Sequence, residues 1–154
     1  MTYYSNPLVI TPEVRVNTYT PSDQRAPEMT VLTDGGHVIV WESTGQDGAG
    51  GGIYAQRFNA AGQPVGAETQ INTYTNNDQT DPDIAALPNG GYVISWTSAG
   101  QDGSGEGVYA RRYNADGSAA GAPFLVNVNI TGGQFFSNVT ALSDGKFSVV
   151  FSHS

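Results

Sequence analysis

Short apolar runs, separated by polar turns rich in glycine, make up most of this chain. Val14 and Val16 alternate with polar neighbours, whereas the segment from His37 to Ser43 is almost continuously apolar. Alternation predicts a strand with one buried face, and a short continuous apolar run predicts a strand covered on both faces. No long window combines helical periodicity with capping residues. The pattern therefore predicts an all-β protein.

The pattern returns with a period of 55 residues. The segment VIVWESTGQDGAGGGIYAQRFN, from Val38 to Asn59, matches VISWTSAGQDGSGEGVYARRYN, from Val93 to Asn114. A fixed period of this size is the signature of a repeat architecture. A first strand is expected over 8–17, and each repeat is predicted to hold four strands, at 28–32, 37–43, 53–59 and 67–72, and then at 83–87, 92–98, 108–114 and 123–127.

A third repeat is split between the two ends of the chain. The segment 147–151 matches 92–96, with Phe151 at the position of Trp96, and Met1 is equivalent to Gln56. We therefore divide the single domain 1–154 into repeats 16–70 and 71–125 and a split repeat made of 1–15 and 126–154.

Four-stranded repeats of this length are typical of β-propeller blades. Three blades are too few to close a ring, since propellers need roughly four to eight. We therefore expect a homodimer that closes a six-bladed ring, in which the C-terminal strands of one chain pair with the N-terminal strands of the other and hide exposed edges. A β-trefoil, which also contains three four-stranded repeats, is the alternative fold.

The composition restricts the partners that the protein can bind. Its formal net charge of −8, with a pI near 4.3, disfavours nucleic acid and anionic membranes, because both attract clustered Lys and Arg. The chain has no cysteine, so disulfides, zinc–thiolate sites and cysteine nucleophiles are excluded. The opening segment MTYYSNPLVITPEVRV is not predicted to be a signal peptide, and no segment is apolar for long enough to predict a membrane-spanning helix.

The repeats resemble those of a known class of secreted proteins. The segment GGYVISWTSAGQDGSGEGVYARRYNADGSAAGAPFLVN, and the IYAQRF motif of the first repeat, are similar to repeats in large secreted bacterial adhesins of the calcium-binding, haemolysin-type (RTX) class. The resemblance covers nearly all of the chain. It implies an extracellular or cell-surface location in a bacterium, a propeller-like module and no assigned catalytic role.

The Gly-Gln-Asp-Gly loops are the first candidate site. Asp47 and Asp102, together with Gln46, Gln101 and the loop carbonyls, offer oxygen ligands on a flexible backbone, which suits calcium. The same residues also fit a structural turn, in which the aspartate accepts backbone N–H groups and the glycines take positive φ. Asp47 and Asp102 are therefore candidate calcium ligands, with the structural turn as the alternative.

Each loop is followed by a strand that carries a tyrosine and an arginine, namely Tyr54 with Arg57 and Tyr109 with Arg112. Because side chains alternate along a strand, a tyrosine and the arginine three residues later are expected on opposite faces. The arginines are equally suited to a ligand and to an ion pair with a neighbouring repeat.

Little in the sequence favours catalysis. His37 and His153 do not recur at the repeat spacing, and Trp41 and Trp96 lie inside apolar strands, where packing between blades is expected in preference to stacking on sugars. Glycoside hydrolysis needs a pair of carboxylates. The carboxylates considered for such a pair form no cluster that breaks the repeat symmetry: Glu42, Asp47, Glu68 and Glu106. The sequence therefore predicts that the chain is not an enzyme.

The favoured hypothesis is a non-catalytic binding module, a lectin-like or adhesion propeller with repeated ligand sites at the blade junctions. Weak sites presented several times gain avidity, and glycans are the expected ligands. The candidate ligand-binding residues are Gln46, Asp47, Tyr54, Arg57, Gln101, Asp102, Tyr109 and Arg112. The alternative is a structural or self-assembly module that binds no small ligand.

Overall fold

The computed structural model describes residues 13–154, and every described element is a β-strand. Residues 1–12, which include half of the first expected strand and most of the N-terminal part of the split repeat, lie outside the described residues. In chain order the strands are β1 (Gln24–Val31), β2 (His37–Thr44), β3 (Gly51–Phe58), β4 (Pro64–Gln70), β5 (Gln79–Ala86), β6 (Tyr92–Ala99), β7 (Glu106–Tyr113), β8 (Phe124–Leu125), β9 (Gln134–Ala141) and β10 (Phe147–His153). Across residues 13–154 no helix is long and apolar enough to cross a membrane.

The strands form three antiparallel sheets that follow the chain order. The first sheet is β1-β2-β3-β4, the second is β5-β6-β7-β8, and the third is the hairpin of β9 and β10. We call the first two sheets blade 1 and blade 2, and the hairpin the half-blade. The first strands of the sheets, β1, β5 and β9, contact one another in succession. The all-β, propeller-like prediction is therefore confirmed, and sheets of this sequential order argue against the trefoil alternative.

The expected strands of the two repeats are present, but their ends differ from the prediction. β1 begins at Gln24 and β5 at Gln79, four residues before the expected starts, because a bulge lets each strand continue past an irregular step in its pairing with the next strand. β8 contains only Phe124–Leu125. Residues 13–17, the described part of the first expected strand, are not in a strand.

The same bulge recurs in the first strand of all three sheets. Ala26, Asp81 and Phe136 have φ of 48°, 51° and 53° and lie 55 residues apart. Positive φ is uncommon in residues other than glycine. The ladder register shifts at each of these positions, so the three first strands have the same irregularity at equivalent positions.

Apolar contacts between successive sheets form the core. Val38, Val40 and Ile53 of blade 1 pack against Ile84 and Trp96 of blade 2. One repeat later, residues of blade 2 pack against the half-blade in the equivalent way: Val93 and Ala110 against Val139, Ala141 and Val149. The tryptophans Trp41 and Trp96 are buried, as expected for packing residues. The core therefore lies between blades, and each blade is stabilised by its neighbour.

An aromatic pair recurs in both blades, between the first residue of the second strand and the last residue of the third strand. His37 stacks on Phe58 with ring centroids 4.9 Å apart, and their equivalents Tyr92 and Tyr113 stack at 4.8 Å. Burial raises the pKa of Tyr92 to about 12, and burial also raises the pKa of Tyr113. The pair is therefore held in its uncharged form by the packing around it.

A buried asparagine ties each blade to the next. Asn72 accepts a hydrogen bond from the Ile53 N–H at 2.8 Å and donates to Gln79 Oε1 at 2.7 Å. Asn127 accepts from the Val108 N–H and donates to Gln134 Oε1 at 2.9 and 2.8 Å. The amide therefore extends the β3 or β7 ladder by one rung and holds the first residue of the following strand.

The asparagine tie predicts a large effect of one substitution. Asn72→Ala removes the partners of the Ile53 N–H and of the buried Gln79 Oε1, which leaves polar groups unsatisfied in the interior. We expect the free energy of unfolding in urea to fall by about 2–4 kcal/mol. The control is Asn114→Ala, since Asn114 is exposed and its side-chain amide donates a hydrogen bond to Ser118 Oγ only. This substitution should lower the free energy of unfolding by less than about 1 kcal/mol. Equal losses in the two variants would contradict the tie.

The raised pKa of Tyr92 predicts a loss of stability at alkaline pH. Its pKa of about 12 in the folded protein lies above the ordinary tyrosine value of 10.0, so between these values the unfolded chain has released a proton that the native state keeps. Stability is therefore fully present below pH 10 and falls as the pH rises towards about 12. Urea unfolding across this range should show a shallower decline for Tyr92→Phe than for the wild type. An unchanged slope would show that Tyr92 titrates alike in both states.

Candidate functional site

The two Gly-Gln-Asp-Gly loops have the same backbone geometry. Gly45 N–H donates to Gly50 O at 2.7 Å, and the equivalent bond, from Gly100 to Gly105, is 2.6 Å long. Asp47 Oδ1 accepts a hydrogen bond from the backbone two residues later at 3.2 Å, as its equivalent Asp102 does at 3.1 Å. Both loops are thus the tight turn that one of the two interpretations predicts.

The second carboxylate oxygen of each loop is buried without a partner. Oδ2 of Asp47 and Oδ2 of Asp102 have no hydrogen bond, and a Cβ at Gly52 or Gly107 would lie 2.9 or 2.8 Å from them. The glycines therefore make room for the carboxylates. Within residues 13–154 no three or more His, Cys, Asp or Glu side chains come together as a metal-binding group. Calcium binding by the loops stays a prediction that rests on one carboxylate each.

Tyr54 and Tyr109 lie beside the loops but are buried. Burial, with the carboxylate of Asp47 as the next cause, raises the pKa of Tyr54 to about 12. Burial likewise raises the pKa of Tyr109, which stacks on Trp96 with ring centroids 6.5 Å apart. Both tyrosines therefore support the loop from beneath instead of presenting an aromatic face to solvent.

The two arginines lie at the far end of their strands and have different partners. Arg57 pairs with Asp34 at 2.8 Å, whereas Arg112 places its guanidinium 6.0 Å from the Phe147 ring centroid. Arg57 also lines a cavity of about 330 Å³ between blades 1 and 2, together with Tyr92, Asp116 and Ser118 among others. The structure therefore separates Arg57 and Arg112 from the loop residues, so the eight candidate residues do not form one kind of site.

A larger cleft lies beside the first loop. Its volume is about 540 Å³, within the range of small-molecule sites. Gln46 Nε2 donates to Glu68 Oε1 at 2.5 Å, and the other oxygen of Glu68 accepts from the Thr18 N–H at 2.7 Å. Gln46 Oε1 is buried with no partner. The polar residues that line the cleft are Arg15, Asn17, Thr18, Gln46, Gln56 and Glu68.

The second repeat has a longer side chain at the equivalent position. Arg111, at the position of Gln56, donates from Nη1 to Ile71 O at 3.1 Å and from Nε to Gly121 O at 3.0 Å. Gln56 is shorter and donates to the adjacent Arg57 O at 2.8 Å. In addition, Gln101 accepts from Ser98 Oγ at 2.8 Å, and the position of Glu68 is held by Pro123. The expectation of equal sites at both loops is therefore not met by this geometry.

The carboxylates considered for hydrolysis are in separate places. Glu42 is buried and paired with Arg25 at 2.5 Å, Asp47 caps its turn and Glu68 lies in the cleft. Glu106 lies at the exposed start of β7. Sequence reasoning missed another group: Glu28, Asp81 and Asp83 line one cavity of about 310 Å³ between the first strands of the sheets.

A signal for this second group exists in the repeat alignment. Glu28 and Asp83 are equivalent at the spacing of 55 residues, and Asn138 follows at the third equivalent position. Asp83 Oδ2 accepts from the Val139 N–H at 2.5 Å and so links β5 to β9. The bulges bring Asp81 to the same cavity. We call the cavity that Glu28, Asp81 and Asp83 line the central cavity.

The chain is similar to solved structures of carbohydrate-active enzymes. No family model matches it, and no curated protein matches it. An endo-arabinase from Bacteroides thetaiotaomicron VPI-5482 has a TM-score of 0.55 at 17% identity, with 83% of this chain and 50% of that chain covered. A thermostable family-43 glycoside hydrolase has a TM-score of 0.54 at 14% identity, with 86% of this chain and 49% of that chain covered. A Hadza microbial sialidase, Hz136, has a TM-score of 0.56 at 13% identity, with 84% of this chain and 32% of that chain covered.

These similarities show the fold, and they correct one prediction. The chain spans half or less of the length of these three proteins, and the identities are low. All three are enzymes by name, so the lack of a repeated catalytic motif is no argument against catalysis on this architecture. The prediction that the chain is not an enzyme is contradicted by this finding. What the comparisons establish is a propeller-like all-β fold that is shared with sugar-processing proteins.

Proposed function

We propose that this chain binds carbohydrate in the cleft beside the first Gly-Gln-Asp-Gly loop. The observation that carries the proposal is the cleft of about 540 Å³ beside Gln56, whose equivalent in the second repeat, Arg111, is longer and reaches the carbonyl of Ile71. The cleft contains Gln46, one of the candidate ligand-binding residues that the sequence suggests.

The chemistry of the cleft supports this choice of ligand. Amide, carboxylate and guanidinium groups bind sugar hydroxyls as donors and acceptors in fixed directions. Glu68 is oriented by Gln46 and Thr18, so its carboxylate is held in place before a ligand arrives, which lowers the entropic cost of binding. The similarity of the fold to carbohydrate-active enzymes is in agreement with a sugar ligand.

A substitution copied from the second repeat tests the proposal. Gln56→Arg should place a longer, charged side chain across the cleft, so binding to oligosaccharides should be lost while the fold is kept. The measurement is isothermal titration calorimetry with the ligand selected from a glycan array that includes arabinose and sialic acid oligosaccharides, and circular dichroism monitors the fold.

The matched control is Gln63→Arg, the same change at an exposed turn between β3 and β4. It should bind as the wild type does. Equal binding by wild type, Gln56→Arg and Gln63→Arg would place the ligand elsewhere. No binding by the wild type to any glycan would favour the structural or self-assembly alternative.

Glycoside hydrolysis in the central cavity is the second candidate function. It is favoured by Glu28, Asp81 and Asp83, which line a single cavity, because glycoside hydrolysis uses an acid and a second carboxylate on either side of the bond. Glu28 is the exposed member of the group, and Asp83 is held by the Val139 N–H. In this proposal Glu28 is the proton donor and Asp83 the oriented carboxylate.

Glu28→Gln tests this candidate without removing the contact between β5 and β9. Turnover of chromogenic arabinosides, xylosides and sialosides should be measurable for the wild type and should fall by about 100-fold or more in Glu28→Gln. The control Glu13→Gln, at an exposed position outside the cavity, should keep full activity. No turnover by the wild type, or equal turnover by both variants, would remove the candidate.

A further inference from the structure

The face of blade 1 that points away from blade 2 exposes apolar residues at positions that are buried in the other sheets. Met29 is 59% exposed, whereas its equivalents Ile84 and Val139 are 6% and 5% exposed. Val31 is 63% exposed, and its equivalents Ala86 and Ala141 are partly buried. Ile84 and Val139 are covered because a preceding blade packs on them. Blade 1 therefore presents a surface of the kind that receives a preceding blade.

The half-blade exposes the complementary surface. Val150 is 65% exposed, while its equivalents Val40 and Ser95 are fully buried. Ser148 is exposed where Val93 and Val38 are buried. Val38 and Val93 are covered because a following sheet packs on them. The half-blade therefore presents a surface of the kind that receives a following blade.

Polar contacts between blades also have counterparts on the two free faces. Between blades 1 and 2, the Ala86 N–H donates to Thr30 Oγ1 at 3.2 Å. On the two unpaired faces, the equivalent acceptor is the side chain of Thr140 on the half-blade, and the equivalent donor is the N–H of Val31 on blade 1. In the contact between blade 2 and the half-blade, the Val139 N–H donates to Asp83. Its equivalent on the unpaired faces has the Met29 N–H as donor and the Asn138 side chain as acceptor. Both acceptors are exposed on the half-blade.

We propose that these two faces bind each other between two copies of this chain. The face that blade 1 presents, with Met29 and Val31, receives the half-blade of a second copy, which presents Val150, Asn138 and Thr140. The new contact continues the two blade-to-blade interfaces that already exist within the chain, in the same register and with the same residue positions.

The symmetry of the contact follows from the difference between the two faces. Because blade 1 and the half-blade present different surfaces, the contact is head-to-tail, and such contacts either close a ring or extend a filament. When two copies join at both ends, each free face is covered and the apolar residues are removed from water. The expected particle is a ring of two chains.

The first experiment measures the mass of the chain in solution. Size exclusion with light scattering should give twice 16.2 kDa for the wild type. Met29→Lys places a charge on the face and should weaken dimerisation about tenfold or more. Val128→Lys is the control, since Val128 is 99% exposed in a loop, and it should dimerise as the wild type does. A single-chain mass for the wild type at all concentrations would overturn the proposal.

The second experiment tests the head-to-tail arrangement by cross-linking and does not depend on the Met29 variant. Ser95 Oγ and Ser137 Oγ lie 3.0 Å apart between blade 2 and the half-blade, and their counterparts on the free faces are Val150 and Pro27. The chain has no cysteine, so Val150→Cys and Pro27→Cys introduce single thiols.

A mixture of the two cysteine variants under oxidising conditions should give a disulfide-linked dimer on non-reducing gels, while each variant alone should stay monomeric there. Cross-linking of one variant with itself would overturn the arrangement, because identical faces would then meet. Absence of a cross-link in the mixture, with both variants folded, would also overturn it.

Discussion

The asparagine that follows the last strand of each complete blade is the contact on which the arrangement of blades depends. It takes one N–H of the third strand as a ladder partner and gives its own N–H groups to the first residue of the next blade and to the chain between them. Because it is buried, its polar groups have no water to replace these partners. Each complete blade is thus linked to the next sheet by one buried amide, while apolar packing supplies most of the free energy.

A fixed tie between blades allows other repeat positions to differ. Gln56 and Arg111 are equivalent, yet Gln56 lines a cleft and Arg111 donates to the carbonyls of Ile71 and Gly121. Arg57 and Arg112 are also equivalent, and one forms an ion pair while the other lies against an aromatic ring. The binding surface that we propose arises at a place where the repeats differ, which explains why a search for repeated residues is a poor guide to it.

The sequence predicts the fold much better than it predicts the sites. The repeat of 55 residues and the strands inside it follow from a pattern that is local, and the structure has them. The bulges at Ala26, Asp81 and Phe136 were not predictable, because no local rule places a non-glycine residue at positive φ; tertiary packing imposes it. The central cavity depends on three strands that are far apart in sequence, so its carboxylates look unrelated until the sheets are assembled.

Hydrogen exchange of the backbone amides tests the central claim most directly. If the asparagine ties hold the blades together, the N–H groups of Ile53 and Val108 should exchange among the slowest in the protein, through global unfolding. In Asn72→Ala the Ile53 amide should then exchange much faster, while Val108, which depends on Asn127, should change far less. Fast exchange of both amides in the wild type, or an Ile53 amide that stays protected without Asn72, would contradict the account.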